Sequence, residues 1–400
     1  MIRSSLLCRR WVKGTEPAAP GVRKAGDAGP AFGMTRATPG GRLPQFPWDQ
    51  LAAAGDTAGN HPHGIVDLSV GTPVDRVPGP VRTALADASN APGYPTVHGT
   101  PELRGAYSAW MDRSHGVGNI DPIAVLPTIG SKELVASLPG QLGLGIGDTV
   151  VIPDIAYPTY EVGALMAGCT VVRAEGLMAL GPERPALLWV NSPSNPTGRV
   201  LPTAHLAKVV SWARARGCIV VSDECYIDLG WDSVPVSILH PEVCGGDFTG
   251  LLAVHSLSKR SNMAGYRAGF LSGDPALIAS LLALRRHLGQ MLPTPIQAAA
   301  TAALDDDGHV MAQRARYGER RLKLIDAFER AGFAVGHSEA GLYLWCTRNE
   351  PASDSVDWLA ERGILVAPGT FYGPAGARHI RVALTATDER IDSAVARLVR

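Results

Sequence analysis

Between residues 100 and 290 the chain alternates short, wholly apolar runs with amphipathic stretches, and this alternation limits the fold more than any other feature. The runs at 148–153, 186–190, 218–222 and 251–255 are rich in Val, Ile and Leu and lack polar alternation. Strands covered on both faces have this composition, and such strands build parallel sheets. The intervening stretches 101–113, 131–143, 159–168 and 202–217 have helical spacing, with Pro101 and Pro202 suited to first turns and Gly168 and Gly217 to stops. The pattern predicts an α/β fold: a mostly parallel central sheet flanked by helices and joined by right-handed crossovers. After residue 290 the character changes. A helix over 309–331, strands at 334–335, 341–346 and 379–384, and a closing helix over 388–398 predict a smaller α+β domain. The expected organisation is an extension over 1–44, an arm over 45–74 joining the small domain, a large domain over 75–290 and a small one over 291–400.

Composition excludes several classes of function. With 46% apolar and 18% charged residues the chain is not intrinsically disordered. No stretch approaches the ~18 consecutive apolar residues of a membrane span, so a soluble protein is expected. The formal charge of zero hides an asymmetry: residues 1–44 carry eight Lys/Arg against Glu16 and Asp27, which leaves an acidic body. An acidic body repels a phosphate backbone, so neither nucleic acid nor membrane is an expected partner. The basic segment holds 12 Gly/Pro, has no hydrophobic period and lacks the apolar core of a secretory signal, which predicts a flexible extension, with Met34 as an internal alternative start. A transit peptide is the lesser expectation there. Six cysteines form no Cys-x-x-Cys pair and no metal-ligand spacing, so no metal is expected. Buried reduced thiols and a cytoplasmic location are.

Sheets of this kind bind ligands beyond the carboxyl ends of their strands, which singles out the polar residues that end each apolar run. These are Asn191 after Leu-Leu-Trp-Val, Asp223 and Tyr226 after Ile-Val-Val-Ser, and Ser256 to Lys259 after Leu-Ala-Val-His. Alone, a lysine at a strand end is an ordinary solvent-facing residue and an aspartate there an ordinary cap. Together they suggest more. Desolvation lowers the pKa of Lys259 and makes its amine available for Schiff-base formation. Asp223 would be a costly buried carboxylate without a cation, and a protonated pyridine nitrogen is such a cation. Gly130-Ser131 lies between an apolar stretch and a helix start, where backbone N–H groups and a hydroxyl suit a phosphate. Ser256 and Arg267 flank Lys259 and would serve the same phosphate.

Asn195-Pro-Thr-Gly198, then Ser222-Asp-Glu-Cys-Tyr226, then Ser256-Leu-Ser-Lys259 followed by Arg267 resemble, in that order and spacing, the fold-type I pyridoxal-phosphate enzymes, in particular the class I/II aminotransferases. The match runs from about Gly71 to Arg381. The resemblance implies pyridoxal 5′-phosphate as cofactor, bound by the large domain. It implies Lys259 as the lysine that holds the cofactor and shuttles the proton, and Asp223 as the partner of its ring nitrogen. Asn195 and Tyr226 fall on the phenolic oxygen, Tyr157 on the pyridine face, and Gly130, Ser131, Ser256 and Arg267 on the phosphate. Tyr94 resembles a tyrosine that reaches the phosphate from the other subunit of a homodimer. Arg381 resembles the arginine that forks onto the substrate's α-carboxylate, and Gly71 the glycine that approaches it. The family often has Gly-x-Pro-Asp where this chain has Gly71-Thr-Pro-Val74-Asp75, a departure at the entrance loop.

The implied reaction is a ping-pong transamination between amino acids and 2-oxo acids. Residues 256–270, 371–376 and 379–390 look like those of succinyldiaminopimelate aminotransferases of lysine and diaminopimelate biosynthesis, whose donor is glutamate. Lys132 resembles a lysine that meets distal carboxylates in acidic-substrate relatives, and Arg260, Arg285 and Arg286 are further candidates. Aspartate or aromatic aminotransferase activity is an alternative, and the fold also supports β-lyases and decarboxylases. A regulatory cofactor-binding module would need a DNA-binding segment, and residues 1–44 show no helix-turn-helix pattern.

Overall fold

Seven strands form the central sheet: β1 (Val125–Ile129), β2 (Thr149–Ile152), β3 (Thr170–Arg173), β4 (Leu187–Asn191), β5 (Ile219–Asp223), β6 (Leu251–Ser256) and β7 (Ala268–Gly273). Their order is β1-β7-β6-β5-β4-β2-β3. All neighbours are parallel except β7, which runs antiparallel to both β1 and β6. The structure is a computed structural model and describes residues 39–399. Pro44–Arg400 forms one compact unit; the 3-10 turn Pro39–Arg42 belongs to a separate unit ending at Leu43. Most of the expected basic extension, with Cys8 and Met34, lies outside the described residues.

The four apolar runs are β2, β4, β5 and β6, buried almost throughout. Side chains alternate between two cores, as strand period requires. Trp189, Val221, Leu252 and Val254 pack with Leu134, Val135, Tyr160 and Ala164 of helices Ser131–Gln141 and Thr159–Ala167. Val190, Val220, Leu251 and Ala253 pack on the other face with Tyr107 and Trp110 of helix Pro101–His115 and Leu206 and Val209 of helix Thr203–Arg214. Helix Pro101–His115 has Pro101 in its first turn, a Thr100 cap and left-handed Gly116 at its end. Pro202 sits one place earlier than expected, as the N-cap residue.

A second sheet, in the order β10-β11-β9-β8, comprises β8 (Ala334–Gly336), β9 (Tyr343–Thr347), β10 (Ala367–Pro368) and β11 (Ile380–Ala383), all antiparallel. Its core takes Leu51, Ala54, Ala58, Val66 and Leu68 from the N-terminal side together with Leu344, Val382, Leu324 and Ile391. Val66–Asp67 adds a parallel two-residue pairing with Ile364–Leu365. The long helix spans Asp307–Arg330 and the closing helix Asp388–Leu398. Among the described residues no helix is long and apolar enough to cross a membrane. Cys169, Cys218, Cys244 and Cys346 are buried free thiols, and Cys225 is half-buried.

The departure at Asp75 has a structural role. Its carboxylate takes a two-pronged bond from Arg320 on the long helix, Nη1 to Oδ2 and Nη2 to Oδ1 both 2.8 Å, plus Gln313 Nε2 at 2.8 Å. Burial opposes ionisation, but the Arg320 and Gln313 bonds win and hold the carboxyl below its ordinary range. Asp75→Asn leaves the nearly buried Arg320 with only Asp388 and is expected to cost about 3 kcal/mol in urea unfolding at neutral pH. Because the folded pKa is lowered, the gap from wild type narrows as pH falls through and below the ordinary carboxylate range. An unchanged midpoint at neutral pH would contradict the assignment.

Candidate active-site cleft

The carboxyl ends of β4, β5 and β6 converge on one cleft. Register places Asn191 opposite Asp223, each the last residue of its strand. Asn191 Nδ2 donates to the Asp223 carbonyl at 2.9 Å, while its Oδ1 accepts from the Asn195 amide at 2.7 Å, so it carries the 191–198 loop over the strand ends. Asp223 is buried. Its Oδ2 accepts from the Tyr160 hydroxyl at 2.7 Å and its Oδ1 from the Cys225 amide at 3.2 Å. The Tyr160 ring is stacked on Trp189 at 4.7 Å and 15°. Asp223 has no ion-pair partner among the described residues, and burial pushes its carboxyl up despite the Cys225 and Tyr160 hydrogen bonds.

Lys259 rises from the one-turn helix Leu257–Arg260 after β6, whose cap is the Ser256 hydroxyl, accepting from the Ser258 amide at 3.2 Å. Burial lowers its pKa; Arg381 and Arg267 add to the effect, while Tyr343 and Cys225 oppose it. It too has no ion-pair partner among the described residues. The cleft therefore holds a depressed amine and a raised carboxyl, each without a counter-ion among the described residues, a combination that clusters at functional sites. Tyr157 is half-buried at the start of helix Thr159–Ala167, edge-on to Tyr160 at 5.6 Å, with its phenol pushed up to about 12 by burial.

Strand register also assembles the expected phosphate cup. Ile129 pairs with Ala268, and Ser256 with Gly269, which brings Gly130, Ser131, Ser256 and Arg267 to one place. Gly130 has φ +72°, and a Cβ there would stand 2.0 Å from Arg267 Nη2. The guanidinium thus lies directly over the start of helix Ser131–Gln141, and the missing side chain leaves a cradle of N–H donors and positive charge. Lys132 is exposed in the same turn, its Nζ 5.3 Å from the Phe46 ring.

The opposite wall comes from the second sheet. Arg381 on β11 pairs with Trp345 and Ala367 and points into the cleft, where its Nη1 donates to Asn195 Oδ1 at 3.1 Å and its Nη2 to the Ser69 carbonyl. Its guanidinium stacks on Tyr343 at 4.0 Å and has Tyr372 at 5.1 Å; its buried Nε has no hydrogen-bond partner. Tyr226 and Tyr343 share a hydroxyl contact of 3.1 Å. Gly71 is buried, and a Cβ on it would meet the Tyr343 hydroxyl at 2.1 Å, so only glycine fits.

Among the expected residues, Asn195, Asp223, Tyr226, Lys259, Arg381 and Gly71 gather in the cleft, with Gly130, Ser131, Ser256 and Arg267 at the cup. Tyr94 stands 98% exposed on the loop before helix Pro101–His115. Two candidates for distal-carboxylate recognition are corrected. Arg285 is fully buried and paired with Glu133 at 3.2 Å, and Arg260 is buried against Asp228 at 3.4 Å, so neither guanidinium is free for a substrate. Sequence reasoning missed Tyr160 and Tyr343. Tyr343 lay in an expected strand and Tyr160 three places after Tyr157, but tyrosine in such settings reads as core. Pyridoxal phosphate fits these residues: Asp223 offers an uncompensated carboxyl for a ring nitrogen, Lys259 an amine, and Gly130 with Arg267 an anion cradle.

A family profile described as aminotransferase class I and II matches residues 63–398. A probable aminotransferase of Mycobacterium tuberculosis is 62% identical over 93% of this chain and 88% of its own length. The 4-dedimethylamino-4-oxo-anhydrotetracycline transaminase OxyQ of Streptomyces rimosus is 56% identical over 89% of this chain and 99% of its own. LL-diaminopimelate aminotransferase of Dehalococcoides mccartyi is 32% identical over 84% and 90%. A solved aminotransferase of Neisseria meningitidis superposes with a TM-score of 0.83 at 28% identity, covering 90% of this chain and 98% of that one. Gly130→Ala would place a methyl against Arg267 at a left-handed position. It is expected to weaken pyridoxal phosphate binding at least ~10-fold in equilibrium dialysis, since it displaces a charge-assisted donor; unchanged affinity would remove the cradle from the account.

Proposed function

Since the chain belongs to the class I and II aminotransferases, pyridoxal-phosphate-dependent enzymes of fold type I, we propose that its cleft passes an amino group between glutamate with 2-oxoglutarate and a second amino acid with its 2-oxo acid. The observation that carries this reading is geometric: the buried Asp223 carboxyl and the Lys259 amine stand at the carboxyl ends of neighbouring parallel strands, and neither has an ion-pair partner among the described residues.

Bound pyridoxal phosphate supplies a conjugated ring that takes up the electron pair left when a substrate's α-proton is removed. The chain supplies the rest. Lys259 would hold the cofactor through its Nζ, and its amine is the group placed to move the proton of the substrate's α-carbon. A lowered pKa favours the unprotonated amine that this transfer needs. Asp223, steadied by Tyr160, keeps the ring nitrogen protonated. Asn195 and Tyr226 supply donors to the phenolic oxygen, and Tyr157 packs on the ring. Gly130, Ser131, Ser256 and Arg267 grip the phosphate, while Lys132 stands at the edge of the cup. Arg381, held in plane by Tyr343 and Asn195, receives the α-carboxylate near Gly71. Removing any of these alters where a proton or carboxylate sits.

Within this reading the second substrate pair is N-succinyl-LL-2,6-diaminopimelate and its oxo acid, in lysine and diaminopimelate biosynthesis. The motifs at 256–270, 371–376 and 379–390 support it, and so does the 32% identity to a diaminopimelate aminotransferase. Lys132 is the residue offered to a distal carboxylate. A polycyclic ketone acceptor is a second reading, favoured by the 56% identity to a transaminase whose name specifies such a compound. Residues 75–290 form the cofactor-binding part, with 45–74 as an arm to residues 291–400. The working unit is a cytoplasmic homodimer, in which Tyr94, exposed in the single chain, meets the phosphate of the second copy.

Incubating holoenzyme with glutamate should release 2-oxoglutarate and convert the cofactor to pyridoxamine phosphate. Pyruvate release from cysteine-type substrates instead would move the assignment to a β-lyase. A panel of oxo-acid and ring-ketone acceptors then selects between the two acceptor readings. Arg381→Lys loses the two-pronged grip and is expected to raise KM for glutamate ~10–100-fold, the worth of one or two charge-assisted hydrogen bonds. An unchanged KM would detach Arg381 from carboxylate binding.

A further inference from the structure

Lys259 and Arg260 are neighbours on a single helical turn, yet they serve different sides of the sheet. Arg260 is 3% exposed. It lies with Tyr107, Trp110 and His115 of helix Pro101–His115, in the core opposite the one that holds Tyr160 and Trp189. Its Nε is 3.4 Å from Asp228 Oδ2, its Cζ lies 4.8 Å over the Trp110 ring and its Nη2 donates to the Ala303 carbonyl at 3.4 Å. His115 Nε2 approaches the other Asp228 oxygen at 3.3 Å. Although burial opposes it, Arg260 and His115 hold the Asp228 carboxyl down to about 2.

Asp228 lies on the segment that follows β5, five residues beyond Asp223, and Arg260 on the segment that follows β6. A second buried link joins the same two strand ends: Glu224 Oε2 is 3.0 Å from His255 Nε2, and Tyr107 bridges His255 Nδ1 at 2.8 Å to Ser272 Oγ at 2.7 Å on β7. Two sets of side chains thus divide the work. Asp223 and Lys259 face the cleft; Glu224, Asp228, His255 and Arg260 tie the strand ends together behind it. A four-residue helix has too few internal hydrogen bonds to hold a direction alone, so its aim depends on what anchors it.

We propose that the buried Arg260–Asp228 pair is a positioning device for Lys259, fixing the direction in which the 257–260 turn presents the amine relative to Asp223. The proposal rests on the reading of Lys259 as the cofactor lysine. A buried ion pair is seldom worth its desolvation in stability, and Arg260 Nε and Nη1 make no hydrogen bond here, so stability is a poor reason for its presence. Neither residue is placed to touch substrate or cofactor.

The test compares wild type with Arg260→Met, Arg260→Lys and the double variant Asp228→Asn/Arg260→Met, in which no charge of the pair is left unpartnered. In the double variant, amide exchange of the 257–260 segment should quicken relative to wild type with or without pyridoxal phosphate. Its kcat should fall ~10-fold or more while KM for glutamate moves less than about twofold, because misplacing a reacting group costs turnover and not carboxylate binding. Arg260→Lys, which retains the charge, should recover part of that loss. Should Arg260→Met fail to fold, the double and Arg260→Lys variants still decide the question. A folded double variant with wild-type exchange, kcat and rate of cofactor capture overturns the positioning role. If wild type itself captures no cofactor at Lys259, the reading of Lys259 fails instead, so the two failures are told apart.

Discussion

Asp223 is kept from water by Tyr160, Trp189 and the carboxyl ends of parallel strands, and an ionised carboxylate in such a place is unfavourable unless a positive charge joins it. The chain supplies hydrogen bonds to that carboxyl but no cation among the described residues. Much else in the cleft follows from this incomplete arrangement. A ring nitrogen that binds a proton completes it, and the energy of doing so keeps the ring an effective acceptor of electrons. Lys259 is the complementary half: an amine whose charge burial disfavours, within reach of the same ligand.

The sheet makes this arrangement possible because its register is rigid. Asn191 and Asp223 stand side by side as last residues of β4 and β5, and the β1–β7–β6 pairing sets Gly130, Arg267 and Ser256 together. Alternation along each strand then separates chemistry from support. In β6 it sets His255 and Ser256 on opposite faces, and just beyond the strand ends Glu224, Asp228 and Arg260 join His255 in a buried network behind the cleft. The second sheet contributes Arg381 and Tyr343, so in the proposed function carboxylate recognition and cofactor chemistry fall to separate elements, which touch through Arg381–Asn195 and Tyr343–Tyr226.

The residues that end apolar runs were legible in the sequence. Asn195, Asp223 and Lys259 follow strands whose Val, Ile and Leu content marks them as doubly covered, and β2, β4, β5 and β6 fall within a residue of their expected bounds. The other strands of the sheet were not. β1 contains Pro127 and Thr128, β3 is a four-residue edge strand and β7 contains two glycines, so none shows a continuous apolar run. Tyr160 and Tyr343 were hidden because their roles come from partners 63 and 117 residues away. Arg260 and Arg285 misled for the converse reason: an arginine beside a site, or on an amphipathic helix, reads as exposed until its carboxylate partner is seen.

The proposed chemistry rests on one amine, that of Lys259, taking the cofactor. The chain has only six lysines, at 13, 24, 132, 208, 259 and 323, so a peptide map resolves every candidate. Protein incubated with pyridoxal phosphate, reduced with borohydride and digested should carry a single phosphopyridoxyl group, on the peptide containing Lys259. A label on Lys132 or any other lysine in place of Lys259, or none at all, would contradict the account.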